Sequence, residues 1–412
     1  MVTLDDVAAK ARVSRMTASN ALRGKSVVKP ETAKRVLKAA AELGYQPNLA
    51  ARQLSSGRTH IIGLSVVDFD LIFPAALTAA LSDQAYRRGY QTIAQQTRSS
   101  TDYERAMMGS ASAQICDGTI LCWPSSDSAQ VLQFAGSHPL VAFDGFGLER
   151  RVDCVFTPCV TGAKAAMEHL LAQPVVAPAG TVPSREAAHS LERDQSRHRV
   201  LVLGTPYCPV DELMTASGSG PMRLRGAYEA LAEHDLPYQE QDIYLCGWNR
   251  KSGYEAMACI LRERRDFDTV FCLTDPIAIG ALKALTDAGV RVPEDVAIMG
   301  FDGVEDGQYT NPGLSSVMVD VNEVATTCLD LLVSRIESAV RLRMARCRPA
   351  ASPSATISSR AAAPNARSAS GQTRFDRTQT TGHRLSIGIV NCDDYTIWIQ
   401  RQVLGQCRAV KQ

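Results

Sequence analysis

No run of 18 or more apolar residues occurs in the 412-residue sequence, which excludes a membrane-spanning helix. The opening MVTLDDVAAKARVS turns acidic within six residues and has no apolar stretch, so it does not read as a secretory signal and a cytoplasmic location is expected. Cysteine is missing from the first 115 residues. The 12 cysteines scatter from Cys116 to Cys407 without a C-x-x-C pair or a Cys/His cluster of zinc spacing. Neither a disulfide framework nor a metal site is therefore expected, and most of these thiols read as small buried hydrophobes. The nucleophile elbow G-x-S-x-G and the phosphate loop G-x-x-x-x-G-K-[ST] are absent, and the seven histidines show no H-E-x-x-H. Ser217–Gly220 is glycine-rich but lacks the lysine, and His169 in MEHLL reads as a helix-packing residue. An enzyme is disfavoured, and no cofactor is expected.

A net charge of +1 argues at first sight against a nucleic-acid partner, but the charge is unevenly placed. Residues 1–60 hold 11 Lys/Arg and 4 Asp/Glu, residues 61–340 hold 21 and 36, and residues 341–412 hold 12 and 3. A basic head, an acidic body and a basic tail are three objects to be explained separately.

In the head (1–46), LDDVAAKA over 4–11 has helical spacing with Thr3 as N-cap, and Ser14 is placed to cap a second short helix, RMTASNAL. A third helix starts at Pro30 and ends at Gly44. Two short helices propped by a third predict a helix-turn-helix. The second helix would enter the major groove, with Arg15, Met16 and Asn20 toward base edges while Ala18, Ala21 and Leu22 face inward. The short hydroxyls of Thr3, Ser14, Thr17 and Ser19 suit phosphate contacts. A helical hairpin docked on another protein is the alternative at this point.

Residues 45–58, YQPNLAARQLSSGR, follow. With TLDDVAAKARVS before them, they make Thr3 to Gly63 resemble the lactose-repressor/galactose-repressor (LacI/GalR) family of bacterial regulators. The resemblance implies that 47–58 is a hinge helix folding on operator DNA, with Leu54 wedged into the minor groove and supported by Asn48, Ala51 and Arg52. Eight or so residues are too few for a stable isolated helix, and an apolar wedge that kinks the duplex suits such a segment. Asn20 stands where the family most often has arginine, which makes an adenine contact plausible there.

From His60 apolar strands alternate with helices: 61–67, 92–96, 118–123 and 139–145 read as strands, 73–88 and ERAMMGSAS as helices. Repeated β-α units predict parallel sheets covered on both faces, with ligands beyond the carboxyl ends of the strands. TGAKAAMEHL, RLRGAYEAL, TDPIAIGALKAL, GVRVPEDVAIMGFDG and NPGLSSVMVD extend the resemblance to about residue 340. It implies a two-lobed body like the periplasmic sugar-binding proteins, 59–340, with three chain crossings. The fold class is thus an all-α helix-turn-helix head and an α/β body of two doubly wound parallel sheets.

Asp144, Asp275 and Asp302 each follow an apolar strand, Arg223 begins RLRG at a helix start after the ASGSG loop, Trp248 follows IYLC, and Phe73 sits where the first strand hands over to the first helix. Acids and arginine can hydrogen-bond hydroxyls while an aromatic ring packs on C–H faces, so these six suit a sugar-like effector. The resemblance implies effector contact for Asp144, Arg223, Trp248 and Asp302. Each acid has a plainer role open to it, that of capping the following helix. Thr274 stands where some relatives have Asn.

Two stretches depart from the family. Residues 173–198 form an insertion that reads as a surface loop. After the helix over 321–340, the tail 341–412 is rich in Ala, Ser, Arg and Pro and has the composition of disorder, with LSIGIVN and YTIWI as possible short strands lacking a packing partner. The expected protein is a ligand-responsive transcription regulator, with repressor as the first reading. Its partners would be operator DNA, a sugar-like effector and a second copy of itself, a tetramer being left open. A solute-binding receptor of the same fold is the alternative, and induction or co-repression is undecided.

Overall fold

The computed structural model describes residues 2–22, 24, 26–45, 58–136, 138–173, 198–346, 383–384, 387–390 and 396–399. The chain divides into two compact units, Met1–His60 and Ile61–Gln412.

The first unit holds α1 (Leu4–Ala11), α2 (Arg15–Leu22) and α3 (Pro30–Leu43). Its buried residues are small, Val7, Ala8, Ala11, Ala18, Ala21, Val36, Ala39 and Ala40, so three short helices approach closely around a thin core. Thr3 and Asp6 make a reciprocal capping box, and Ser14 Oγ accepts from the Thr17 amide at 3.1 Å to start α2. Gly44 ends α3 in the left-handed region, as expected of a C-terminal glycine. Arg35 Nε donates to the Ala11 carbonyl at 2.9 Å, satisfying the end of α1.

The second unit contains two sheets. The first lobe has β1 (Ile61–Val66), α4 (Ile72–Arg87), β2 (Gln91–Gln96), α5 (Thr101–Met108), α6 (Ala111–Ile115), β3 (Gly118–Cys122), α7 (Ser128–Ala135), β4 (Leu140–Phe143) and β5 (Asp153–Phe156). The second has α8 (Cys159–Leu171), β6 (Val200–Leu203), α9 (Val210–Leu213), α10 (Ser219–Glu233), β7 (Ile243–Tyr244), α11 (Arg250–Glu263), β8 (Thr269–Cys272), α12 (Asp275–Asp287), β9 (Ala297–Asp302) and β10 (Ser315–Met318). Strands β3, β4 and β8 are buried along their whole length, the signature of parallel sheet covered on both faces. Phe143, Phe271 and Phe301 are fully buried in this core, each contributing about 2 kcal/mol by burial.

Both sheets share one strand order, β2-β1-β3-β4-β5 and β7-β6-β8-β9-β10, with parallel pairing throughout these strands. The order reverses between β1 and β3 and between β6 and β8, and a ligand crevice belongs at such a switch point. The chain passes to the second lobe after β5 and returns with α13 (Val321–Arg346), which packs on α4, β3, β4 and β5.

The tail reading is corrected here in part. Strand β11 (His383–Arg384) pairs parallel with β5 of the first lobe. Strands β12 (Ile387–Val390) and β13 (Thr396–Ile399) extend the second sheet, β12 antiparallel to β10. The two possible strands therefore have partners, and the chain crosses a third time between Arg384 and Ile387. Tail composition is local, whereas the β5 and β10 edges that receive these strands lie far back in the sequence. The remaining tail, and residues 174–197 of the insertion, lie outside the described residues.

Smaller differences have local causes. The helix expected as ERAMMGSAS is two helices, because Ser110 Oγ accepts from the Ala113 amide at 3.1 Å and starts a new one. The last body helix runs on from 340 to Arg346. Of the described cysteines, six are buried, as expected of small hydrophobes. No described helix is long and apolar enough to cross a membrane.

Candidate functional site

In the head, Arg15 and Met16 are exposed at the start of α2, Met16 at 75%. Asn20 lies one turn on and is half-buried, while Ala18 and Ala21 point into the core. That leaves one polar, long-chained face on α2. The hydroxyls are less free than expected. Thr3 Oγ1 donates to Asp6 at 2.8 Å, and Ser14 and Thr17 share a hydrogen bond of 2.8 Å. Thr3 and Ser14 first of all cap helices, and Thr17 is tied to Ser14 within the first turn of α2. Asn48, Ala51, Arg52 and Leu54 lie outside the described residues.

The second lobe brings its expected residues together. Arg223 sits one turn inside α10 rather than at its start, and it is 3% exposed. Its Nη2 contacts Asp302 Oδ1 at 3.0 Å, and its Nη1 donates to the Leu273 carbonyl at the end of β8. The guanidinium stacks 3.7 Å from the Phe301 ring centroid and 5.4 Å from that of Trp248. Burial opposes the Arg223 charge, but Asp302, Cys159 and Asp144 hold it above its usual value. Burial pushes the Asp302 carboxyl up to about 6, against the pull of Arg223. Asp302 also has φ 116, a left-handed backbone that is rare without glycine and marks a locally constrained strand end. Trp248 is anchored by its Nε1 donating to the Gly204 carbonyl at 2.7 Å, at the β6 end of the switch point.

Asp275 does something else. Thr274 caps α12, its hydroxyl accepting from the Ile277 amide, so the expected capping by Asp275 falls one residue earlier. Asp275 is fully buried and accepts from Ser316 Oγ at 2.5 Å and the Val304 amide at 2.7 Å. Burial first, and then Asp302, raise its carboxyl well above the ordinary range. It pins the loop after β9 from beneath and has no open face toward a ligand.

The first lobe differs again. Asp144 follows β4, but both of its oxygens are taken by its own lobe. Oδ1 accepts from the Thr157 amide at 2.7 Å and its hydroxyl at 2.9 Å, and Oδ2 from that hydroxyl at 2.7 Å and from Trp123 Nε1 at 3.0 Å. Burial raises the Asp144 carboxyl, opposed by Thr157, by the Arg223 charge of the other lobe and by Trp123. Phe73 is 5% exposed, and its ring meets Trp123 edge-on at 6.0 Å. Sequence reasoning missed Trp123, Thr157 and Cys159. The first two follow β3 and β5, and the strand-end rule that found Asp144 would have found them too. Cys159 bonds Thr157 Oγ1 at 3.2 Å and lies beside Arg223, where the chain crosses between lobes.

Elsewhere, an open depression of ≈ 520 Å³ at β7 is lined by Gln241, Tyr244, Arg264, Arg265 and Asp266. Arg264 is paired there with Asp242 and Asp266. No group of three or more metal-ligating side chains occurs among the described residues.

Residues 3–48 match the family model for bacterial regulatory proteins of the lacI family, and 198–351 match a periplasmic binding protein-like domain. The HTH-type transcriptional regulator CelR of Thermobifida fusca is 30% identical over 342 residues, 81% of this chain and 92% of that protein. The HTH-type transcriptional regulator AscG of Escherichia coli K12 is 29% identical over 355 residues, 82% of this chain and 93% of its own. A solved complex of the transcriptional regulator CelR with cellobiose matches with a TM-score of 0.55 at 27% identity, covering 82% of this chain and 94% of the other. Head, two-lobed body and these relatives agree: the chain belongs to the LacI family, and it is a sequence-specific DNA-binding regulator controlled by a small effector.

Proposed function

We propose that this regulator is a homodimeric repressor whose effector is a sugar held between the lobes. The observation that carries the sugar reading is the buried Arg223–Asp302 pair, roofed by Trp248 and Phe301 at the carboxyl ends of the second sheet. A fixed cation, a fixed carboxylate and an aromatic face are what a polyhydroxylated ligand needs: donors and acceptors for hydroxyls, and a ring for C–H faces. The likeness to a regulator solved with cellobiose supports the class and makes cellobiose the first probe.

Arg15, Met16 and Asn20 would read base edges in the major groove, Ser19 would touch phosphate with Thr3, Ser14 and Thr17 beside it, and Leu54, with Asn48, Ala51 and Arg52, would open the minor groove. Pairing two heads on a pseudo-palindromic site would double these contacts. Effector and operator affinities would be reciprocally coupled through the angle between the lobes. Genome-wide footprinting, followed by operator binding with and without cellobiose, tests the reading. Operator affinity that is indifferent to cellobiose and to every sugar encoded nearby would refute it.

A further inference from the structure

Residues 1–60 hold four acids against 11 lysines and arginines, and an acid in a basic head needs a reason. Asp6 closes the capping box with Thr3, and Glu42 meets Lys10 at 2.9 Å and Lys38 at 3.9 Å. Glu31 stands in the first turn of α3, where the helix dipole favours an acid. Asp5 lies in the first turn of α1, but its carboxylate meets the next helix. Its Oδ1 is 3.6 Å from Arg15 Nε, at the start of α2. The two are ten positions apart in sequence, and the turn between the helices brings them together. Arg12 takes a left-handed backbone with φ 52, the Val13 amide donates to the Ala8 carbonyl at 3.0 Å, and Val7, Ala8 and Ala18 share one core. Both side chains are open to water, Asp5 at 62% and Arg15 at 70%. A pair so exposed, and too long for a hydrogen bond, stabilises a fold very little. Its consequence lies in what Arg15 can reach.

We propose that Asp5 is a positioning residue for base recognition: it holds the Arg15 guanidinium on its Nε side and turns the two terminal amino groups to a guanine. This rests on the reading above that Arg15 faces base edges in the major groove. Guanine O6 and N7 accept both donors of an arginine fork, a contact that demands one orientation of a long, mobile side chain. An arginine already held in place loses less freedom when it binds. The same carboxylate repels phosphate, so it is a penalty on any DNA that offers Arg15 no guanine. Asp5 therefore strengthens discrimination twice, by favouring the right base and by weakening attachment elsewhere.

The full chain is bound to a library of randomised duplexes, and the enriched sites are sequenced for wild type, Arg15→Ala, Asp5→Asn and the double variant. Arg15→Ala marks the operator position that Arg15 reads, because the preference there flattens. Asp5→Asn should lower the guanine preference at that same position about fivefold and spare the others. In the Arg15→Ala background it should change no preference further. On a duplex without an enriched site, followed by fluorescence anisotropy, Asp5→Asn should bind about threefold more tightly than wild type. Glu31→Gln removes a first-turn acid from another helix and should leave every base preference intact, which separates positioning from a helix-dipole effect.

An unchanged guanine preference in Asp5→Asn overturns the proposal, as does a loss spread evenly over all positions. Weaker binding of Asp5→Asn to the siteless duplex overturns it too, since a damaged head loses both kinds of binding. A loss confined to a position other than that of Arg15 would mean that Asp5 touches a base itself, as a carboxylate can at cytosine N4, and the positioning role falls. If Arg15→Ala leaves every preference as in wild type, the base-reading role of Arg15 fails first, and the proposal fails with it.

Discussion

The two lobes share a strand order but carry opposite chemistry at their strand ends. The second presents a charge pair, Arg223 with Asp302, stacked on Phe301 and Trp248. The first turns its acids inward, so that Asp144 and Glu104 serve Trp123 and its loop. One topology thus ends in a stacked ion pair in one lobe and in carboxylates bonded to their own loops in the other. A carboxylate at a strand end is no guide to which kind it belongs to, because the outcome depends on the hydrogen-bond donors in the neighbouring loops.

The sharpest way to break this comparison is to neutralise the charged wall. Arg223→Met keeps a long side chain under Phe301 and Trp248 but leaves Asp302 without its cation. Removing one member of a buried ion pair costs about 3–5 kcal/mol, and cellobiose binding should be lost with it. Urea denaturation of the full chain reads the first effect and calorimetry the second. A loss of stability under about 1 kcal/mol would mean that the wall is far wetter than its 3% exposure indicates.

A smaller effect separates the lobes by packing. A Cβ on Gly226 of α10 would run into the Val160 carbonyl and the Lys164 amide of α8, so these helices touch backbone to backbone. Gly226→Ala should destabilise by about 2 kcal/mol, as overpacking does. Gly109→Ala, at the end of α5 in the first lobe, meets the nearest atom at an ordinary 3.5 Å and should be close to neutral. Thermal melts of the two variants side by side test the contrast, and equal shifts would erase it.

Much of this was legible in the sequence, for a physical reason. Parallel strands buried on both faces need continuous apolar runs, so IIGLSV, GTILC, LVAF, TVFC and AIMGFD announce themselves. Their carboxyl ends located Asp144, Asp275 and Asp302. What stayed hidden is which atoms those acids meet. Asp144 is claimed by Thr157 and Trp123, 13 and 21 residues away, and Asp275 by Ser316, 41 away. Trp123 looked like the last residue of a strand until its backbone turned left-handed. The tail strands were read as lacking partners because their partners are distant edges, which composition does not encode.

The smallest effect places pH sensitivity at the root of the second lobe. His198 precedes β6, and its Nε2 lies 3.2 Å from the Leu171 carbonyl and 3.1 Å from that of Gln173, at the end of α8. Its Nδ1 is 3.5 Å from Asp268 Oδ1. Carbonyls only accept, so Nε2 must carry a proton, and a second proton on Nδ1 is favoured by the carboxylate. Asp268 accordingly raises the His198 pKa, against burial, while His198 and the Arg199 amide hold Asp268 low despite its own burial. The sign follows from linkage. A raised histidine contributes stability that is fully present below its unfolded value of about 6.5 and is lost as pH climbs through the higher folded value. The depressed Asp268 contributes above the unfolded carboxylate value, and that share is lost only as pH falls through its folded value. His169, half-buried on α8, works against the trend, since burial lowers its pKa. The readout is therefore the difference between wild type and His198→Gln rather than either curve alone. That difference should be on the order of 1 kcal/mol near pH 6 and shrink toward pH 8, the worth of a charge-assisted hydrogen bond. A gap that stays constant from pH 6 to pH 8 would mean that folding leaves the His198 pKa unshifted, and that its place beside Asp268 is packing alone.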